Sequence, residues 1–134
     1  ITYRQLDYWV RKGWVTPSID QGRGKSSRRL FGVDDVVRLG VLCHLGRSRR
    51  NLTELGPKVA PLGLGERFVV VDGDDRLSTP ADTAELVEAI GEPGVFTVCD
   101  VEALRSHVVD ATSLAADQHG ADEPAPALDL RRGA

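Results

Sequence analysis

At 134 residues, with 41% of them hydrophobic, the chain has room for one globular domain or two very small ones. No apolar run reaches membrane-spanning length and no signal-peptide pattern opens the chain, so neither a helical membrane protein nor an exported one is expected. The net charge of -3 conceals a division, because residues 1–50 carry 11 Lys+Arg against 4 Asp+Glu and residues 51–134 carry 6 against 16.

A basic head of +7 before an acidic body of -10 points to a polyanionic partner for the head alone. The competing reading is that the opposite charges hold head and body together. Ile1 to Val15, ITYRQLDYWVRKGWV, reads as one short capped helix. Thr2 and Gln5 have capping-box spacing, Ile1 and Leu6 have hydrophobic-staple spacing, and Gly13 supplies the left-handed residue that ends the helix. Leu6 and Val10 fall on one side with Trp9 beside them, whereas Arg4, Tyr8, Arg11 and Lys12 fall largely on the other. A cationic, aromatic, hydrogen-bonding face on a short helix suits a DNA groove, and ordinary solvated charges are the plain alternative.

Residues 18–31, SIDQGRGKSSRRLF, contain Gly and Ser, the cations Arg23, Lys25, Arg28 and Arg29, and a closing apolar pair. They read as a basic β-hairpin able to straddle a phosphate backbone, or else as a disordered basic loop. Gly32 to Asp35 opens a second helix with acidic residues at its positive end. Its apolar residues lie around most of its girth, which makes it central to the core. Cys43 and His44 on it read as core or boundary residues, since no other Cys or His stands at ligand spacing. Arg47 to Arg50 reads as a basic linker. Asn51 then caps a short helix that Gly56-Pro57 should end or kink early, and residues 56–65 have the Pro and Gly content of a linker.

Residues 66–117 read as a small α/β unit. Arg67 to Val71 is a strand and Asp72-Gly73 a hairpin turn. Thr79-Pro80 begins a helix with Leu86, Val87 and Ile90 on its apolar face, ended by Gly91. Val95 to Cys99 is a second buried strand, and Asp100 caps a last helix bearing Val101, Leu104 and Val108. The acidic Ala/Pro-rich stretch from residue 118 on has too few large apolar residues to fold. The chain contains no Met, so residues upstream of Ile1 are expected. Cys43 and Cys99 sit in apolar runs as free thiols, consistent with a reducing cytoplasm.

Enzyme signatures are absent: there is no G-x-S-x-G, P-loop, Rossmann fingerprint or Cys-x-x-Cys pair. The Asp72/Asp74/Asp75 cluster lacks the sixth-position glycine and closing glutamate of a calcium loop and reads as a solvated turn. His107 and His119 are isolated. The expectation is a protein that is not an enzyme and needs no metal or cofactor.

ITYRQLDYWVRKGWV followed by RRLFGVDDVVRL resembles the MerR-type winged helix-turn-helix regulators, most of all an actinobacterial branch of them. The resemblance covers Ile1 to about Leu55. It implies a sequence-specific, usually dimeric transcription factor that binds double-stranded DNA, with a helix in the major groove and wings on the flanking backbone. RNA polymerase, whose promoter engagement many members alter, is a further implied partner. By this resemblance Arg4 matches a helix arginine directed at bases or phosphates, Tyr8 a tyrosine on backbone phosphate, and Arg11 an arginine at the backbone or in a structural pair. Arg29 matches the wing arginine, Arg28 stands where the family often has Tyr, and Phe31 replaces a second aromatic.

Three departures accompany these matches. The family's first helix is missing before Ile1. Asp7 replaces a frequent Arg, and its carboxylate could read a cytosine amino group or orient Arg11. No long heptad helix follows residue 55, so the usual dimerising coiled coil is not visible. The body resembles, weakly, the effector or dimerisation domain of some members, with its ligand or protein effector open. The expected fold is thus α+β: a winged helix-turn-helix domain at 1–55, a linker at 56–65, a small α/β domain at 66–117 and an acidic tail at 118–134. The expected protein is a cytoplasmic homodimeric regulator with no membrane partner. An excisionase-type architectural DNA binder, or a module whose basic head docks an acidic protein, are the alternatives.

Overall fold

The computed structural model describes residues 1–21, 29–91 and 94–119. Among these residues the fold is α+β, with five helices and two small antiparallel sheets. α1 (Tyr3–Arg11) begins at the expected capping box, with Gln5 N donating to Thr2 Oγ1 at 3.1 Å and Thr2 N donating to Gln5 Oε1 at 2.9 Å. Its last turn closes as a Schellman motif: Gly13, at φ +76°, donates to Val10 O, and Trp14 donates to Trp9 O. That turn carries Trp14 and Val15 back into the core, where both are buried. The expected staple is not formed by burial, since Ile1 remains half exposed.

β1 (Asp20–Gln21) and β2 (Arg29–Leu30) pair antiparallel, with Asp20 opposite Leu30 and Gln21 opposite Arg29, so the stem of the expected hairpin is present. α2 (Val33–Arg47) follows at once. Val37, Leu39, Val41, Leu42 and Leu45 are buried on it, which agrees with a helix apolar around most of its girth. It ends in a second Schellman turn whose left-handed position is held by Arg49, at φ 59°.

Asn51 caps α3 (Leu52–Val59) by accepting from Thr53 N and Glu54 N. Gly56-Pro57 does not end this helix early. Pro57 forfeits one backbone hydrogen bond, but Leu55 and Val59 on either side of it are fully buried and hold the backbone helical. The first half of the expected linker is therefore helix, and Leu64, at φ 55°, is buried within the second half.

β3 (Phe68–Val71) is buried at all four positions and lies between β4 (Leu77–Ser78) and β5 (Thr97–Asp100). Both pairings are antiparallel, with Val71 opposite Leu77 and Val70 opposite Val98. The Asp72–Asp75 turn is an Asx-type turn, in which Asp72 Oδ1 accepts from Asp74 N and Arg76 N. Those bonds hold the Asp72 carboxyl below the ordinary carboxylate range.

α4 (Thr83–Ala89) starts later than expected. Asp82, not Thr79, is its cap and accepts from Glu85 N, while Pro80 is buried and its carbonyl accepts from Phe68 N. Its expected core face is also not buried: Val87 is 60% exposed and Ile90 37%, and no residue of α4 is buried. The strand expected from Val95 begins two residues later at Thr97, and Val95 is exposed.

α5 (Val101–His119) is capped by Asp100, whose Oδ1 accepts from Ala103 N. It buries Val101, Val108 and Thr112 and packs along α2. One core joins head and body, since Leu6, Trp14 and Phe31 belong to the same buried cluster as Val69, Val71 and Val108. Polar ties cross as well. Arg38 donates to Leu62 O, Arg50 Nε donates to Thr97 Oγ1 at 2.8 Å and its Nη2 reaches Val95 O, and His44 Nε2 lies 3.0 Å from Val98 O.

Candidate nucleic-acid interface

The outward face of α1 is set by helical spacing. Burial of Leu6 and Trp9 fixes the rotation of the helix. Arg4, Tyr8, Arg11 and Lys12, related by steps of four, three and one, are then left exposed together. The structure brings these four expected residues onto one solvent-facing surface. The remaining expected contacts lie in the hairpin. Arg23, Lys25 and Arg28 lie outside the described residues, and of Arg29 the backbone is described, in β2.

The side chains of this face are ordered against one another. The Tyr8 ring meets Trp14 edge-on, with centroids 5.7 Å apart and planes at 88°. Lys12 Nζ lies 5.5 Å from the Tyr8 centroid, a cation–π distance. Arg11 Nη2 lies 2.8 Å from Asp7 Oδ2, so the acid holds this arginine against the helix, one of the two roles that its position four residues before Arg11 suggests. Tyr8 is 43% exposed, with its apolar body supported by Trp14. This is an arrangement that suits stacking or a hydrogen bond to phosphate. The face thus presents an aromatic platform flanked by cations, on a helix narrow enough for a major groove.

The hairpin is fixed to this head by a residue that sequence reading took only for a helix-dipole partner. Asp35 is buried on the first turn of α2. Its Oδ2 accepts from Ser18 N at 2.8 Å, Ser18 Oγ at 2.6 Å and Gly32 N at 2.9 Å. Ser18 precedes β1 and Gly32 follows β2, so a single carboxylate ties both ends of the hairpin to α2. The signal was an Asp three residues after a capping glycine, a position from which a side chain reaches back to the cap N–H.

Not every cation of the head is available to a polyanion. Arg38 and Arg50 are committed to the body by the bonds described above. Their acceptors are backbone carbonyls and a hydroxyl, not carboxylates, so these bonds take cations out of the head's free charge without pairing the opposite charges of the two halves. Arg47 makes no hydrogen bond or ion pair among the described residues.

An open groove of about 660 Å³ between α2, β5 and α5 has walls of Val36, Leu39, Leu104 and Val108, with Cys43, Cys99, His44 and His107 also lining it. Neither cysteine forms a hydrogen bond with a histidine among the described residues, and these residues contain no group of three or more His, Cys, Asp or Glu able to hold a metal ion. Burial raises the Cys43 thiol. Burial and, secondarily, the adjacent Asp100 push Cys99 from 9.0 up to about 11. Both shifts disfavour the thiolate a nucleophile needs. The native state consequently holds the Cys99 proton more tightly than the unfolded chain does. The stability this provides is complete below the ordinary thiol range and declines as pH rises from about 9 towards 11. Urea midpoints between pH 8 and 11 should therefore fall more steeply for the native sequence than for Cys99→Ala.

Among the described residues no helix is long and apolar enough to cross a membrane. No family model matches the chain, and no solved structure matches it. It is similar to proteins from Mycobacterium bovis and Mycobacterium tuberculosis that are named uncharacterized HTH-type transcriptional regulators. Each is 32% identical over 126 residues, covering 90% of this chain and 54% of the relative, so the chain spans about half the length of the curated relatives it matches.

Proposed function

We propose that this chain is the DNA-contacting part, with an attached body, of a sequence-specific transcriptional regulator of the MerR type. The observation that carries the reading is the outward face of α1, where Arg4, Tyr8, Arg11 and Lys12 converge while the opposite face is locked in the core. The helix-turn-helix regulator names of the mycobacterial relatives support the same reading. In this proposal α1 enters the major groove and Arg4 reaches base edges or phosphate. Tyr8 hydrogen-bonds a backbone phosphate, and Arg11 and Lys12 neutralise the strand beside it. The hairpin, with Arg23, Lys25, Arg28 and Arg29, lies on the flanking backbone as a wing. Residues 1–55 act as the DNA module and residues 66–117 as the effector or dimerisation module. The protein works in the cytoplasm as a homodimer that alters the access of RNA polymerase to promoters.

Selection of duplexes from a random pool, followed by titration of the winner and a scrambled duplex at several salt concentrations, tests this. The expected result is an inverted-repeat site preferred at least ~10³-fold over scrambled DNA. In the same titrations Arg29→Ala should weaken binding to all sequences alike and reduce the log–log salt slope by about 0.9. Arg4→Ala should also relax sequence preference, at a cost of about 1–3 kcal/mol on the selected site. A steep salt slope without any preferred sequence would replace this reading with an architectural DNA binder. No binding at low salt would assign the basic face to an acidic protein.

A further inference from the structure

We infer that Arg105, on the acidic body and far from the DNA face in sequence, is a positioning residue for the wing; the inference rests on the DNA-binding reading above. Asp34 and Asp35 are consecutive on the first turn of α2, and helical geometry turns their side chains about 100° apart. Asp35 grips Ser18 and Gly32 at the two ends of the hairpin. Asp34 Oδ1 accepts from Arg105 Nη1 of α5, and the same guanidinium donates through Nη2 to Leu64 O at 3.1 Å. One short turn of helix is thus held by the hairpin on one side and by the body on the other.

The surrounding packing makes that turn a junction and not an isolated surface pair. α2 and α5 approach so closely that a Cβ on Gly40 would stand 2.7 Å from Leu104 Cδ2. The two helices are therefore in direct contact along this stretch. The segment between α3 and β3 is pinned twice, by Arg38 on Leu62 O and by Arg105 on Leu64 O. An exposed Arg–Asp pair by itself contributes little. Asp34 is itself two-thirds exposed, but the Arg105 guanidinium is only one-third exposed and joins α5, that segment and the first turn of α2 in one planar fork. Without it, the first turn of α2 loses its polar tie to the body, and the turn that carries the hairpin's carboxylate is left to apolar packing through Val36. A change in α5 is in this way transmitted to the wing through two adjacent aspartates.

The test uses the full chain with Arg105→Ala, Arg105→Lys and Asp34→Ala. Amide exchange is read first without DNA. Arg105→Ala and Asp34→Ala should each raise exchange at Ser18 and Gly32 about five-fold, the low end of site-to-site coupling, while exchange in β3 stays unchanged. Arg105→Lys should recover part of the protection, since an ammonium reaches one of the two acceptors. DNA affinity on the selected duplex should fall by a similar factor with an unchanged salt slope, because no phosphate contact is lost. Unchanged exchange at Ser18 and Gly32 in both alanine variants would overturn the coupling whatever the DNA result. A salt slope lowered by about 0.9 would overturn it in favour of direct phosphate contact by Arg105. Raised exchange in a protein that binds no DNA at any salt would overturn the DNA reading and leave the junction standing.

Discussion

Replacing Gly56 by alanine should destabilise the fold by about 2 kcal/mol, although the same exchange in an unobstructed helix is stabilising by about 1 kcal/mol. The sign reverses because Trp14 lies flat against α3 at this residue. A Cβ on Gly56 would stand 2.3 Å from Trp14 Cδ2 and Cε2 and 2.7 Å from Cε3. Those atoms are the middle of the indole and cannot swing aside as the tip of a long side chain does. The ring is itself buried and meets Tyr8 on another side. The contact therefore resolves by moving α3 away from α1 or by tilting the indole into Tyr8. A double-mutant cycle makes the assignment specific. Trp14→Ala alone should cost about 3–5 kcal/mol as a large buried aromatic lost from a core. In that background Gly56→Ala should become neutral or mildly stabilising. Urea unfolding of the four proteins measures all the terms, and a Gly56→Ala cost that persists without Trp14 would place the clash elsewhere. Because Trp14 also supports the Tyr8 ring, Gly56→Ala should disturb the outward face of α1 without touching any residue on it.

Asp35→Ala should lower stability by about 3 kcal/mol and, in the proposed DNA-binding role, should weaken duplex binding more than loss of any single hairpin cation. The alanine leaves the part-buried Ser18 N–H and Gly32 N–H without the acceptor they share. Hydrogen bonds to an ionised group are worth about 1.5–3 kcal/mol each, and three donors that share one oxygen do not sum to three full bonds. Asp35→Asn separates charge from geometry. Its carbonyl oxygen can still accept, without charge assistance, so about half of the loss is expected. The measurements are urea midpoints and titration with the selected duplex. If Asp35→Ala unfolds at the native midpoint, the carboxylate does not organise the hairpin.

Much of the fold was legible because its signals are local. Thr2 and Gln5 cap α1 as their spacing requires, Gly13 ends it, Asn51 and Asp100 cap α3 and α5, and Asp72-Gly73 turns the chain between β3 and β4. Each depends on groups within four residues of one another. What local reading missed was decided by distant partners. Pro57 should break a helix, yet Leu55 and Val59 bury against the head and carry the helix through it. Thr79-Pro80 has the chemistry of a helix start, but Pro80 O is taken by Phe68 N, and the cap passes to Asp82. Leu86, Val87 and Ile90 have the spacing of a core face, but α4 meets the sheet only at β3 and no residue of it is buried.

The candidate site divides along the same line. Arg4, Tyr8, Arg11 and Lys12 could be grouped by helical period alone. The residues that hold the site in place could not: Asp35 is joined to Ser18 across 17 residues of sequence, and Asp34 to Arg105 across 71. A count of head cations was equally blind to Arg38 and Arg50 being committed to the body.

The bonds from α2 and its end to β5 bear on how this chain behaves at high concentration. β5 is the outermost strand on its side of the body sheet, and an outermost strand with free backbone groups is a template for another chain to add to. Here His44 occupies the Val98 carbonyl, while Arg50 occupies the Val95 carbonyl and the Thr97 hydroxyl. A basic side chain laid along that border repels a second basic head and blocks the carbonyls that a foreign strand would need. Arg50, one of the head cations withdrawn from solvent, thus covers part of the edge at which a further strand would have to add.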